Sequence, residues 1–339
     1  MAPFVAAGVM TIALAVVGIL YQRLGVRRDA LRFPPRGRWI HTNGRRLHVV
    51  VQGQGTPAVW FESAIAASSL SWSRVQPGVA RFTTACSYDR AGLGWSDPPA
   101  APLRLAVVVH DLEVAIAEVS PKVPCVLVGH SFGAFVCMAF AAAHPVAVRG
   151  LVLVDPPMDW IEMNPRQTYL LRGASHLSKL GGLLARLGVV RASVALLTGG
   201  APAAPRQFIK VFGSATAHTI ERLVGEIQKL PPEVYPFVQA AWSRPQCFEA
   251  MADYLTVFQE SALAAAQLRL PNDVPLVVIS AGDQPEEVKA AHERLARSSA
   301  RGRHVVAAAS GHWVPFDQPE LIVDAIEQLV RDYGPGARD

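Results

Sequence analysis

The pentapeptide Gly129-His130-Ser131-Phe132-Gly133 constrains this chain more than any other stretch. It joins an unbroken apolar run, Pro124-Cys125-Val126-Leu127-Val128, to a helix-compatible segment from Phe135 to Ala143. That segment stops at His144-Pro145, where proline forbids continuation. A short apolar run of this kind reads as a strand buried on both faces of a parallel sheet. A turn from strand to helix within so few residues presses backbone on backbone. Side chains at the flanking positions would collide, so glycine is required there. The serine at the apex is lifted above the edge of the sheet.

With 339 residues, half of them apolar, the chain can build one large domain carrying an insertion. Opening strands near Trp39–His41 and Arg46–Val51 are split by the hairpin signal Asn43-Gly44. Strands Ala58–Phe61, Thr83–Tyr88, Cys125–Val128 and Gly150–Val154 then alternate with helices near Ser73–Arg81, over Leu103–Val119 and after the pentapeptide. The alternation predicts an α/β fold, a mostly parallel sheet with helices on both faces and an antiparallel hairpin at one edge. The rhythm breaks at Asp155-Pro156-Pro157, and only helical patterns follow until Pro275–Ser280 resumes the sheet. Helix 286–298, strand His304–Ala307 and helix Pro319–Asp332 complete the core. The expected organisation is an apolar anchor over 1–22, a basic juxtamembrane linker over 23–38, a core over 39–155 and 273–333, and a helical cap over 156–272.

A formal charge of +5 invites a nucleic-acid reading, but its location argues otherwise. Residues 1–40 hold Arg23, Arg27, Arg28, Arg32, Arg36 and Arg38 against Asp29 alone, leaving 26 basic and 26 acidic residues elsewhere. The run from Ala2 to Gln22 carries no charge and is long enough to cross a hydrocarbon layer of about 30 Å. Neither a preceding Lys or Arg nor a following Ala-x-Ala site supports the competing reading, a cleaved signal peptide. With the arginines just after the apolar run, the positive-inside rule puts the rest of the chain on the cytoplasmic side. Cys86, Cys125, Cys137 and Cys247 lack paired spacing and read as small core residues, in keeping with a reducing compartment.

A serine hydroxyl becomes a nucleophile only when a base takes its proton and a third group orients that base. Among ten histidines, His312 in Ser310-Gly311-His312-Trp313 directly follows the last strand, on the same sheet rim as Ser131. His130 reads as packing at the turn, His110 and His144 as helix surface, His41 and His48 as strand positions. Asp155 and Asp283 both end strands on that rim, and either carboxylate could fix the imidazole tautomer. The structural alternatives are a strand-ending Asp-Pro and a turn aspartate beside Gly282. Two N–H donors are needed for an oxyanion. Phe132, just after the serine, supplies one, and the loop Glu62-Ser63-Ala64-Ile65 the other, with Ile65 the expected donor. Glu62 reads as a pocket carboxylate or as a strand-end residue. Metal and cofactor motifs (HExxH, a Walker loop, GxGxxG after the first strand, paired Cys/His spacing) are lacking, so neither is expected.

These residues resemble the α/β-hydrolase superfamily over roughly 40–333. The resemblance rests on Gly129-His130-Ser131-Phe132-Gly133, on Ser310-Gly311-His312, and on Tyr88-Asp89-Arg90-Ala91-Gly92-Leu93-Gly94-Trp95-Ser96. That last stretch is similar to a "DRxGxGxS" loop that is structural in many members. Phe61-Glu62-Ser63-Ala64 departs from the His-Gly pair common at the oxyanion loop. Members using the later strand usually carry the acid three residues after its glycine, where this chain has Pro285; members using the earlier strand match Asp155 more directly. Asp155 is therefore the preferred acid and Asp283 the alternative. Relatives of the haloalkane dehalogenase and epoxide hydrolase kind need an aspartate where Ser131 stands. The resemblance implies a serine esterase working through an acyl-enzyme, with thioester or amide hydrolysis, acyl transfer and C–C hydrolysis as alternatives on the same groups. A silent, membrane-tethered binding module is the alternative of another class. In the cap, Leu177, Leu180, Leu184, Leu187, Val190 and Val194 form an apolar face, and Arg172, Lys179 and Arg186 recur every seven residues. That pattern suits either a helix resting on anionic lipid, admitting a lipid-like acyl substrate, or an ordinary cap helix over the cleft.

Overall fold

The computed structural model describes residues 2–121, 124–198 and 229–332. Helix α1 (Ala2–Arg32) leads into strands β1 (Arg38–Thr42) and β2 (Arg45–Gln52), joined through Asn43 and Gly44, both at positive φ. There follow β3 (Ala58–Glu62), the short α2 (Gln76–Val79), β4 (Ala85–Tyr88), α3 (Leu105–Val119), β5 (Cys125–His130), α4 (Phe132–Ala143) and β6 (Val148–Val154). Helices α5 (Pro165–Arg186), α6 (Val189–Thr198), α7 (Tyr235–Trp242) and α8 (Pro245–Ala266) precede β7 (Leu276–Ala281). The chain closes through α9 (Glu286–Ala296), β8 (Gly302–Ala307), α10 (Val314–Asp317) and α11 (Pro319–Arg331).

The eight strands form one sheet in the order β1-β2-β4-β3-β5-β6-β7-β8. Pairings β1–β2 and β2–β4 are antiparallel and all others parallel, which is the α/β sheet with an edge hairpin that the pattern predicts. Both faces are covered. Cys125 and Leu127 of β5 pack with α3 and α4, while Val126 and Val128 pack with α11 and the segment around Trp72. Burial on both sides explains why the strand reads as a continuous apolar run. Each large side chain so buried contributes roughly 1.5–3 kcal/mol.

Two local expectations are revised. The helix expected over Ser73–Arg81 shrinks to Gln76–Val79 after a tight turn at Ser69–Trp72, because Pro77 is tolerated only in a first turn. Residues 23–32, expected as linker, continue α1, which ends ahead of Pro34-Pro35. At Gly181 a Cβ would stand 2.6 Å from the Phe248 ring, so its bareness lets α5 lie close on α8. Residues 199–228 of the expected cap, and 333 of the expected core, lie outside the described residues.

The glycines of the pentapeptide answer to the steric demand read from the sequence. A Cβ on Gly129 would sit 2.6 Å from the Gly133 carbonyl oxygen, and one on Gly133 only 2.3 Å from that of Glu62. Gly173, in contrast, has nothing within 4 Å of a built Cβ. Gly129→Ala and Gly133→Ala should each cost on the order of 3 kcal/mol or more, through backbone displacement. Gly173→Ala should instead stabilise α5 by about 0.5–1 kcal/mol. Thermal unfolding of the purified variants separates these outcomes.

Candidate active site

Parallel strands send their carboxyl ends to one rim, where connecting loops gather functional groups. Ser131 stands there between β5 and α4 with φ 53° and ψ −121°, in a backbone region that a non-glycine residue enters only under tertiary constraint. Its N–H donates to the Val154 carbonyl at 2.9 Å, locking the turn to the end of β6. The next residue, Asp155, also has positive φ, and its N–H donates to Ile279 of β7 at 2.7 Å. Two strained residues thus sit side by side, each held by the neighbouring strand.

The Asp155 carboxylate is fully buried and richly bonded. Oδ1 accepts from the Ala281 N–H at 3.1 Å, and Oδ2 from Gln284 Nε2 at 2.7 Å. Oδ2 also lies 2.6 Å from Nδ1 of His312, whose ring is 3% exposed. A carboxylate at Nδ1 fixes that nitrogen as the proton carrier and assigns proton exchange to Nε2. His130 Nε2 donates to the His312 carbonyl at 2.8 Å, and its ring packs between His312, Trp72 and Trp313. No hydrogen bond links the Ser131 hydroxyl to the His312 ring among the described residues. In resting enzymes such contacts are often long and tighten only with substrate bound.

The structure brings Asp155, rather than Asp283, onto the imidazole. Asp283 is exposed, beside Gly311, and among the described residues bonds no atom of His312. Glu286 and Glu287 are exposed in the first turn of α9, where carboxylates suit the helix dipole. His110 lies at the surface beside Glu113, whereas His48 is buried in β2 between Asp89 and the Arg36 carbonyl.

The loop after β3 is built around a charge that the sequence did not point to. Arg90, 2% exposed, donates from Nη1 to the Ser63 carbonyl at 2.7 Å, and from Nη2 to the carbonyls of Ala64 and of Ile65, the latter at 3.1 Å. Nη1 also meets Glu62 Oε2 at 3.2 Å, and Tyr88 donates to Glu62 Oε1. With three successive carbonyls turned onto one guanidinium, the amides of this loop are left to face elsewhere. Those of Phe132 and Ile65 have no hydrogen-bond acceptor among the described residues. The guanidinium also stacks over Phe132, 5.1 Å from the ring centre, and so ties this loop to the residue after the serine. Ser63 is further braced by the Trp72 indole at 3.0 Å. Glu62 is thus neither a pocket carboxylate nor a mere strand end: it is the counter-charge of Arg90. Only the pairing of β3 with β4, which sets these side chains together, exposes the role. Gln284 escaped notice for the same reason, since nothing local marks it as a partner of Asp155.

With this geometry in view, the chain belongs to the alpha/beta hydrolase family, whose sequence profile matches residues 49–325. An uncharacterized protein of Schizosaccharomyces pombe is 26% identical over 261 residues, 76% of this chain but only 43% of the yeast protein's length. An uncharacterized protein of Mycobacterium bovis is 24% identical over 314 residues, covering 90% of this chain and 84% of its own. Among solved structures, an esterase of Thermogutta terrifontis superposes with a TM-score of 0.59 at 18% identity, over 87% of this chain and 99% of its own. An epoxide hydrolase does so with a TM-score of 0.60 at 17% identity, over 87% and 98%. These structural likenesses show the fold.

Burial pushes the Glu62 carboxyl up to about 7, against the pull of the Arg90 charge and the Tyr88 hydrogen bond. A carboxyl raised on folding stabilises fully below its unfolded pKa, and that contribution is lost as pH rises through the folded value. Glu62→Gln cannot titrate. The difference in melting temperature, wild type minus Glu62→Gln, should therefore shrink steadily between about pH 5 and about pH 8. A difference that grows over this window would show that the Arg90 charge overrides burial.

Proposed function

We propose that the protein is a serine hydrolase that cleaves a carboxylic ester through an acyl-enzyme, held at a membrane by its N-terminal helix and topped by the helical segment after β6. The observation that carries this reading is the 2.6 Å contact of a buried Asp155 with His312 Nδ1, beside a strained serine in a strand-to-helix turn. His312 Nε2 takes the Ser131 proton as the hydroxyl attacks the acyl carbon. Asp155 holds the imidazolium that results. The alkoxide product leaves with that proton, and water repeats the sequence on the ester of Ser131. Negative charge on the tetrahedral oxygen is met by the amides of Phe132 and Ile65, the first at the positive end of α4.

Neighbours titled as an esterase and as an epoxide hydrolase share the fold. The residue at the turn favours the former reading, because a serine there forms an acyl ester and cannot replace the aspartate that epoxide opening needs. Among the described residues one helix is long and apolar enough to cross a membrane, and most of its side chains up to Leu20 are exposed, which supports the anchor.

A fluorophosphonate probe should label the wild-type protein and fail to label Ser131→Ala. A silent scaffold would remain unlabelled throughout. On p-nitrophenyl esters, Asp155→Asn should lower kcat roughly 10⁴-fold by favouring the wrong tautomer. Asp283→Asn should leave kcat unchanged; the reverse outcome would move the acid to the later strand. Arg90→Lys, whose ammonium cannot reach three carbonyls at once, should lower kcat roughly 10²-fold with KM little altered.

A further inference from the structure

Helix α1 does more than precede the domain, because it packs against the cap inside its own apolar stretch. A Cβ on Gly18 would lie 2.1 Å from the Leu187 carbonyl oxygen, and one on Gly188 2.6 Å from the Gly18 carbonyl oxygen. Gly188 has φ 74° and forms the corner between α5 and α6. Just below, Gln22 is buried, donating to the Ser243 carbonyl at 2.7 Å and accepting from Arg191 Nε at 3.0 Å. Arg191 also pairs with Asp29 at 2.7 Å. The helix and the corner are thus fixed at one height by backbone contact above and a polar lock beneath.

That height decides where the corner lies. Gly18 precedes Gln22, the end of the uncharged run, by four residues, which is roughly 6 Å along a helix. If the run spans a bilayer, whatever touches Gly18 lies within the hydrocarbon edge as well. We infer that the α5–α6 corner of the cap is itself embedded in the bilayer leaflet from which α1 emerges, making the lipid phase the partner of this face. The inference rests on reading α1 as a membrane anchor.

The corner is built for that setting. Hydrocarbon demands internally satisfied backbone groups. Leu187 N–H bonds Leu183 O at 3.1 Å, Gly188 N–H bonds Ala185 O at 3.0 Å, and Ala192 N–H returns to Gly188 O at 3.0 Å. Its outward residues are apolar where water would favour polar ones: Leu177, Leu180, Leu183 and Val189 are 69%, 50%, 55% and 44% exposed. Helix α1 likewise exposes apolar side chains near Gly18, among them Val17, Leu20 and Leu24. Charges nearby are paired or long enough to reach the headgroups: Arg186 meets Glu249 at 2.6 Å, and Lys179 stands on a flexible stem. On its inner side α5 presses Gly181 on Phe248, which with Met251 and Trp242 walls a groove beside Ala66 and Ser68 of the β3 loop. The groove thus lies behind Phe248, the residue on which α5 rests, a place suited to acyl substrates drawn from the membrane.

The test uses the full chain in phosphatidylcholine vesicles, with an environment-sensitive fluorophore on Leu183→Cys or Val189→Cys and doxyl-labelled lipids as quenchers. Native cysteines are buried or half-buried, which keeps background labelling low. Reference labels go on Ile12→Cys in α1 and Glu293→Cys on α9. Embedding predicts that labels at 183, 189 and 12 lose most of their emission to the quencher while the label at 293 keeps its own. Quenching at 12 with none at 183 or 189 would leave the anchor standing and overturn the embedded corner. Failure at 12 as well would overturn both.

Discussion

The contact between Gly133 and the carbonyls of Glu62 and Ser63 is the constraint on which the rest of the site depends. A Cβ at 133 would fall 2.3 Å from one carbonyl oxygen and 2.8 Å from the other, so the first turn of α4 and the loop leaving β3 are in backbone contact. That proximity sets the residue after Ser131 close beside the loop that leaves β3. Ser131 accepts a positive φ because its N–H is held by Val154, and Asp155 does likewise through Ile279. Strain is tolerated at both points because the sheet over-determines them.

A second constraint is electrostatic. Arg90 is a buried guanidinium whose charge is met by Glu62 and by three consecutive carbonyls. A buried ion pair is weak evidence for stability, since desolvation offsets attraction, but it fixes geometry strictly. Here it fixes the conformation of the loop that lacks the family's usual His-Gly pair.

The N-terminal helix is joined to the folded domain through particular contacts, the Gly18–Gly188 approach and the Gln22, Arg191 and Asp29 lock. These contacts fix the helix against α5, α6 and Ser243 of the folded domain. Helix α1 and the α5–α6 corner are therefore held together by backbone approach and by a buried polar cluster.

Much of this molecule was legible along the chain. Buried parallel strands such as Cys125–His130 announce themselves by continuous apolarity, and Gly129 and Gly133 by the steric need of a turn that allows no Cβ. The mainly parallel sheet and the rim position of Ser131, Asp155 and His312 follow from alternation alone, because a parallel sheet sends every strand's carboxyl end to one side; the strand order, with β4 between β2 and β3, does not. Local pattern could not choose between Asp155 and Asp283 as the neighbour of His312. Both end strands on the same rim, and their separation from the imidazole depends on how β6, β7 and the Gly311 loop pack. Nor could it reveal Arg90 beneath the β3 loop, Gln284 on Asp155, or Gly18 against Gly188, contacts between residues far apart in sequence. Periodicity and steric exclusion act over a few residues and are written locally; hydrogen bonds and ion pairs that close across strands exist only once the sheet has brought their partners together.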